Sequence, residues 1–512
     1  MMKRLAAFMT GTVLALTAVL CTATGTAAAS AETNGPFARG TLSCSEFRIP
    51  ALLTLQDGAV VASADMRWGH GADSPQNIDT GFARSIDGLG NWEHSIVNHF
   101  DDYADGADST DSASFIDSAL VQSQDGTLFL ITEAYASGIG IRNTEQGNGC
   151  IEYQGETYIA LAERDSEDYR YHIADFENGF APVMDGDAAT DYSVDTEYRL
   201  YQNGTLLTQP QRGTDGEPNG STVAQSIFYK EAALHVFPTP FLWLRSSRDG
   251  GVTWSAPQVL NPAVGLDTDC FLGVCPGRGL AFDWNGGERL LFALYLSDAG
   301  KNEQALCIYS DDGGQTWQRG EAVQHAAMLK KTSESQPVLL PDGRLRLFSR
   351  NSSRYVACCD STDGGQTWTK ARPVEALRGR ASCMISALTL PQPDGTTVVL
   401  CAMPGDSSAR ADGVLRAGTA DEAGNITWND ELPVNDGFFA YSCMTALSDG
   451  SIALLYEDEA SHFAYCRMTV DGEGKLAAAD GNTVTVQKKN SLRDTLTRAW
   501  DQVLLFFERL SA

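Results

Sequence analysis

One cycle governs this chain. An apolar strand, a turn holding Asp-Gly or Gly-Gly, and a second apolar strand recur at 51–65 (ALLTLQDGAVVASAD), 118–134 (SALVQSQDGTLFLITEA) and 278–298 (RGLAFDWNGGERLLFALYLSD). The same cycle returns at 335–351 (SQPVLLPDGRLRLFSRN), 386–404 (SALTLPQPDGTTVVLCAMP) and 442–458 (SCMTALSDGSIALLYED). Asp-Gly between apolar runs is a hairpin signal, because a tight turn that matches strand twist needs positive φ. A lone hairpin leaves its faces wet, whereas repeated hairpins bury theirs against one another. The expectation is an all-β fold, a six-bladed β-propeller.

A second repeat follows several hairpins. It reads Ser-x-Asp-Gly-Gly-x-Thr-Trp at 247–254, 310–317 and 361–368, with a degenerate copy, SIDGLGNW, at 85–92. Asp249, Asp312 and Asp363 are expected to accept backbone N–H bonds. The glycines supply positive φ, and the Trp anchors the turn. These are structural turns.

Residues 146–242 interrupt the cycle. They alternate aromatic and polar residues (TDYSVDTEYRLYQNG), carry no copy of the turn repeat, and read as a small inserted β-domain. The propeller is then expected in two parts, 32–145 and 243–470. A C-terminal extension, 471–512, is partly helical: Leu492, Leu496, Trp500, Val503 and Phe507 share one helical face that packs on the propeller. Residues 1–31 read as a secretory leader, with Lys3 and Arg4 ahead of the apolar stretch Leu5–Leu20 and Ala29-Ser30-Ala31 at its end. The expected location is outside the cell or on its surface, with no membrane span in the mature chain.

Composition narrows the partners. The formal net charge of −29 repels nucleic acid and anionic membranes. Any anionic ligand must be held by a local basic pocket, workable because charges more than about 8 Å apart barely interact at physiological salt. Eleven cysteines follow the leader, with no zinc spacing, and read as buried thiols with one or two bridges at most. Cys358 and Cys359 are adjacent on a strand and point to opposite faces. No HExxH, GxSxG or GxxxxGK motif is present, and no metal or cofactor is expected.

The chemistry gathers at one end of the hairpins. Arg48, Asp117, Arg278, Glu334 and Tyr441 lie just before first strands; Arg67, Arg350 and Arg410 lie after second strands. In an antiparallel hairpin these ends share an edge, and in a propeller the edges meet at the axis.

FRIP (47–50), ADMR (64–67), GADSPQNID (71–79), TSESQ (332–336), FSRN (348–351), ARADGVLR (409–416) and FAYSCM (439–444) together resemble, in order, the signature of bacterial exo-α-sialidases. The turn repeat resembles their Asp-boxes, and the chain is most similar to the larger clostridial-type enzymes with an inserted domain. The resemblance covers roughly 37–145 and 242–468. It implies that Arg48, Arg350 and Arg410 hold the sialic acid carboxylate, with Arg416 a rival for the last place. Arginine suits this because its planar fork binds carboxylate bidentately and stays charged.

It implies Tyr441 as nucleophile with Glu334 as its base. A carboxylate nucleophile would be repelled by the substrate's own carboxylate, whereas a phenol is neutral, and its pKa near 10 calls for a base. It further implies Asp73 as acid/base, with Asp65 and Asp79 as neighbours of the same type. Glu457 orients Arg48, Arg67 and Asp117 contact substrate, and Phe271 forms a site wall. The implied reaction is hydrolysis of terminal α-linked sialic acid from glycoconjugates with retention, by a monomer. Two alternatives share the site or the fold: intramolecular trans-sialylation, and a non-catalytic sialoglycan-binding propeller.

Overall fold

The computed structural model describes residues 35–44, 46–379, 382–392, 395–459 and 462–479, with short pieces at 28–29, 483–484 and within 501–505. The leader at 1–31, apart from residues 28 and 29, and most of the helix expected at 491–510 lie outside the described residues.

The described chain is built from β-strands joined by short turns. β1 (Glu46–Thr54), β2 (Val60–Arg67), β3 (Ile78–Ser85) and β4 (Glu93–Asn98) form a first antiparallel run. β5 (Ser114–Gln122), β6 (Leu128–Tyr135), β7 (Phe241–Ser247) and β8 (Gln258–Val259) form a second. A parallel bridge between Ile78 and Ser114 joins the two into one nine-stranded sheet, whose ninth strand is Gly277–Arg278.

In the third run, β9 (Phe271–Val274) and β10 (Leu280–Trp284) both pair with the long β11 (Gly287–Ser297), followed by β12 (Glu303–Ser310) and β13 (Gln318–Arg319). The fourth run is β14 (Ser335–Leu339), β15 (Leu345–Ser349), β16 (Tyr355–Ser361) and β17 (Arg372–Arg378). The fifth is β18 (Ser386–Pro391), β19 (Thr397–Pro404), β20 (Gly413–Ala420) and β21 (Ile426–Pro433). The last is β22 (Ala440–Ala446), β23 (Ile452–Glu459), β24 (His462–Val470) and β25 (Leu476–Ala478). All the hairpins read from the sequence form.

Strands such as β2 (VVASADMR) are buried along their whole length, on both faces. Each run lies between two others, so the polar-out alternation of a half-exposed strand is lost. Leu53 and Val61 pack with Leu120 and Leu130 between the first two runs. Cys359 and Leu347 meet Leu291 and Ala293 between the third and fourth, while Cys358 and Phe348 face Ile385 and Val399 of the fifth. Cys358 and Cys359 thus point into different cores. The last run packs Leu455, Phe463 and Tyr465 against Phe47, Leu52 and Ala62 of the first. The ends of the series meet through side-chain packing.

The Ser-x-Asp-Gly-Gly-x-Thr-Trp turns act as spacers between runs. In the second run, Ser247 Oγ donates to Asp249 Oδ1 at 2.8 Å, and Asp249 accepts Thr253 N–H at 2.9 Å. Gly251 has φ +93, and a Cβ there would fall 2.3 Å from Phe82 of the first run. Gly314 meets Phe129, and Gly365 meets Leu291, in the same way. Glycine is required twice over, for conformation and for close approach. Trp317 is buried and donates to Gly314 O at 3.2 Å; Trp254 and Trp368 are only half-buried.

Between β6 and β7, which are paired neighbours, the chain leaves to build a separate eight-stranded sheet. Leu200–Gln202, Ala188–Asp195, Phe180–Asp185, Tyr171–Ile173, Glu156–Glu163 and Leu234–Val236 lie side by side within it. Its core is continuous with that of the second run: Leu161, Val183 and Val194 join Phe115, Phe241 and Trp243.

Two expectations change. Among the described cysteines all eleven are free thiols, nine of them buried, so no bridge forms. Arg278 does not sit at the start of its run's first strand. That strand begins at Phe271, seven residues earlier, and Gly277–Arg278 leaves it to pair in parallel with β5. Arg278 is consequently buried in the interior, where Nη1 donates to Met444 O at 3.3 Å and burial lowers its pKa.

Candidate active site

Three first strands are irregular where they carry chemistry. The register of β1 slips between Arg48 and Ala51, and Ile49 has φ +58. The register of β5 slips between Ile116 and Ala119, and Asp117 has φ +58. β22 slips between Ala440 and Ser442, beside Tyr441. A bulge re-aims the side chains next to it, and positive φ at a β-branched residue such as Ile49 is strained. Buried carboxylates hold both strained amides: Ile49 N–H donates to Glu457 Oε1 at 3.1 Å, and Asp117 N–H to Asp65 Oδ1 at 3.0 Å.

These side chains line a cleft of about 240 Å³ together with Asp73, Glu334, Arg350 and Arg410. Arg48 reaches Glu457 through Nε at 3.1 Å and Nη2 at 3.4 Å, and Asp73 through Nη1 at 3.2 Å. Arg350 Nη1 lies 2.6 Å from Glu334 Oε2 and 3.1 Å from Tyr441 Oη. The guanidinium carbons of Arg48 and Arg410 stand 5.5 and 5.2 Å from the Tyr441 ring centroid. Three arginines from separate runs therefore surround one phenol. Arg416, the alternative to Arg410, bonds instead to the carbonyl of Arg378 and to Glu431.

The phenol of Tyr441 donates to Glu334 Oε1 at 2.8 Å. Burial lifts its pKa well above the ordinary value; Glu334 adds to this, and Arg350 opposes it. The group is a neutral phenol until a base removes its proton, and Glu334 is placed to do so. Asp73 sits on the loop between β2 and β3, with a side chain 63% exposed. Burial would raise its pKa, but Arg67, Arg48 and Arg410 outweigh this and hold it below the ordinary carboxylate value.

Arg67 does not line the cleft. It is fully buried beneath Asp73, bonding Asp65 at 2.6 Å and Asp73 at 2.7 Å. A guanidinium without exposure cannot touch a ligand here; it positions Asp73. Glu457 is likewise buried, behind Arg48. Asp117 lines the cleft, and burial together with the charges of Glu133 and Asp65 raises its pKa well above the ordinary value. Phe271 forms part of the wall, stacked on Tyr295 at 4.8 Å.

Sequence reasoning missed Glu133, Tyr135, Glu303 and Lys331, all of which line the cleft. Glu133 accepts from Tyr135 Oη at 2.9 Å and from Val274 N–H at 2.7 Å, and burial raises its pKa. It ends the second strand of its hairpin, as Arg67 does, so the positional rule that singled out Arg67 would have found it. Asp79, His99 and Asp105 also bring ligand-type atoms together, but Asp79 Oδ2 already takes Trp68 Nε1 at 2.7 Å and His99 Nδ1 at 2.8 Å. That cluster is an ion pair, outside the cleft.

An anion cradle beside a base-paired phenol and an exposed carboxyl, on a series of packed sheets, is glycosidase architecture. Residues 226–454 match the family model of the BNR repeat-like domain. The chain is 32% identical over 450 residues to the anhydrosialidase of Macrobdella decora, covering 80% of this chain and 58% of that protein. It is 30% identical over 438 residues to sialidase B of Streptococcus pneumoniae, covering 80% and 61%. The chain thus spans about three fifths of the length of these curated relatives. The crystal structure of the intramolecular trans-sialidase from Ruminococcus gnavus, in complex with oseltamivir carboxylate, superposes with a TM-score of 0.79 at 31% identity, covering 86% of this chain and 98% of that one. The chain belongs to the sialidase family.

Proposed function

We propose that this protein is an exo-α-sialidase that releases terminal α-linked sialic acid from glycoconjugates with retention. The observation that carries the reading is the Tyr441–Glu334–Arg350 set, in which a phenol, its base and a carboxylate-binding guanidinium lie within 3.1 Å of one another. Arg48, Arg350 and Arg410 bind the substrate carboxylate and bring the anomeric carbon over Tyr441. Glu334 takes the phenolic proton as Tyr441 Oη bonds to that carbon. Asp73, once protonated, gives its proton to the departing oxygen. Asp73 then takes a proton from water, which displaces Tyr441 and restores the site. Release of free sialic acid from a synthetic aryl α-sialoside tests this; absence of release by the folded protein refutes it.

A second reading is intramolecular transfer, in which a hydroxyl of the sialic acid replaces water in the second step. It is favoured by the 31% identity to the Ruminococcus gnavus trans-sialidase across 98% of that chain. Mass spectrometry of the product decides, because the anhydro product is lighter by one water. The architecture that goes with either reading is a six-bladed propeller carrying an insert at 146–242, exported by the leader at 1–31 and working as a monomer on sialylated glycans.

A further inference from the structure

The cleft contains a charged pair that the proposed chemistry does not use. Lys331 Nζ lies 2.7 Å from both Glu303 Oε1 and Oε2, and both side chains, 26% and 27% exposed, line the cleft. The backbone around the pair is fixed: Thr332 N–H donates to Glu303 O at 3.1 Å, and Ala305 N–H to Thr332 Oγ1 at 3.1 Å. Two residues along, Ser333 also lines the cleft; it is 2% exposed, and its buried Oγ has no hydrogen-bond partner in the protein. An unpaired buried hydroxyl costs stability unless a ligand completes it.

We propose that Glu303, Lys331 and Ser333 form the subsite for the three-carbon polyhydroxyl tail of the substrate, an assignment that rests on the sialidase reading above. The arginines come from the first, fourth and fifth runs and Tyr441 from the last, so a sugar with its carboxylate in the cradle turns its far carbons toward the second and third runs and the approach to the fourth. Glu303 begins β12 of the third run, and Lys331 and Ser333 lead into β14 of the fourth. Adjacent hydroxyls each donate and accept. An ammonium held against a carboxylate offers both functions side by side, and Ser333 adds a third partner. The site selects a polyol and gives nothing to a bare hydrocarbon tail.

The test compares an aryl α-sialoside with its analogue whose tail is shortened by two carbons through periodate cleavage and reduction. The wild-type protein should prefer the intact substrate at least about tenfold in kcat/KM, within the range a lost hydroxyl contact commands. In the Glu303→Gln/Lys331→Met double variant that ratio should fall toward one, with KM for the intact sialoside rising more than kcat falls. Ser333→Ala, a milder change, should lower the ratio in the same direction. A double variant that keeps the wild-type ratio, or a wild-type protein active on both substrates without preference, overturns the subsite alone. A wild-type protein active on neither overturns the sialidase reading and the subsite with it.

Discussion

Glu334 is shared between two residues: its Oε1 accepts the Tyr441 phenol at 2.8 Å while its Oε2 holds Arg350 at 2.6 Å. The arginine fixes the carboxylate's orientation, so the base stays aimed at the phenol. Glu334→Gln keeps the shape and removes the base. It should lower kcat on an aryl sialoside by about 10²–10⁴-fold. Tyr441→Phe should lose at least as much while still binding substrate. Equilibrium binding of a non-hydrolysed sialoside, beside an unchanged melting temperature, separates loss of chemistry from loss of fold.

A tyrosine nucleophile implies two displacements and net retention. Proton NMR of a wild-type reaction on an α-sialoside should show the α-anomer as the first-formed free sugar. First appearance of the β-anomer would exclude Tyr441 as a covalent nucleophile.

Asp73 is held below the ordinary carboxylate pKa by Arg67, Arg48 and Arg410, against the effect of burial. A proton donor needs the opposite. When a substrate carboxylate neutralises the arginines, Asp73 should take up a proton at mildly acidic pH. The alkaline limb of kcat should then lie at higher pH than that of kcat/KM, because the two report bound and free enzyme. Arg67→Met should move the limb of kcat/KM upward. Coincident limbs in the wild-type protein would contradict this coupling.

His99 carries a stability signature on the alkaline side. Burial would lower its pKa, but Asp79 and Asp101 raise it from 6.5 to about 11. A histidine raised in the folded state contributes stability that is fully present below its unfolded pKa, and loses it as pH climbs toward the folded value. Urea denaturation should show stability falling between about pH 6.5 and 11, and His99→Gln should flatten that slope. An unchanged slope in the variant would assign the alkaline loss elsewhere.

The turn acids should matter to stability alone. Asp363 accepts Thr367 N–H at 2.9 Å and holds Ser361 Oγ at 2.7 Å, on a turn that packs against the neighbouring run. Asp363→Ala should cost about 1–3 kcal/mol through lost hydrogen bonds, read as a lower melting temperature with kcat unchanged. Normal melting with no turnover would place Asp363 in the site instead.

What the sequence determined by itself is local. Asp-Gly turns need positive φ, and apolar runs on either side of them have one economical pairing, so the hairpins were legible from composition and spacing. The positions of Arg48, Glu334, Arg350 and Tyr441 at hairpin ends followed from that pairing, and the resemblance assigned their roles. The tertiary structure decided which side chains of that set reach the cleft. Arg67 and Arg278 occupy hairpin ends in the sequence as convincingly as Arg48 does, yet one is buried under Asp73 and the other points into the interior. The difference lies in bulges at Arg48, Asp117 and Tyr441, in the early start of β9 at Phe271, and in the strand Gly277–Arg278 crossing to a neighbouring sheet. A bulge is stabilised by partners distant in the chain, as Glu457 holds the amide of Ile49 across 408 positions. No local pattern encodes such a contact; it exists only once the last run has packed against the first.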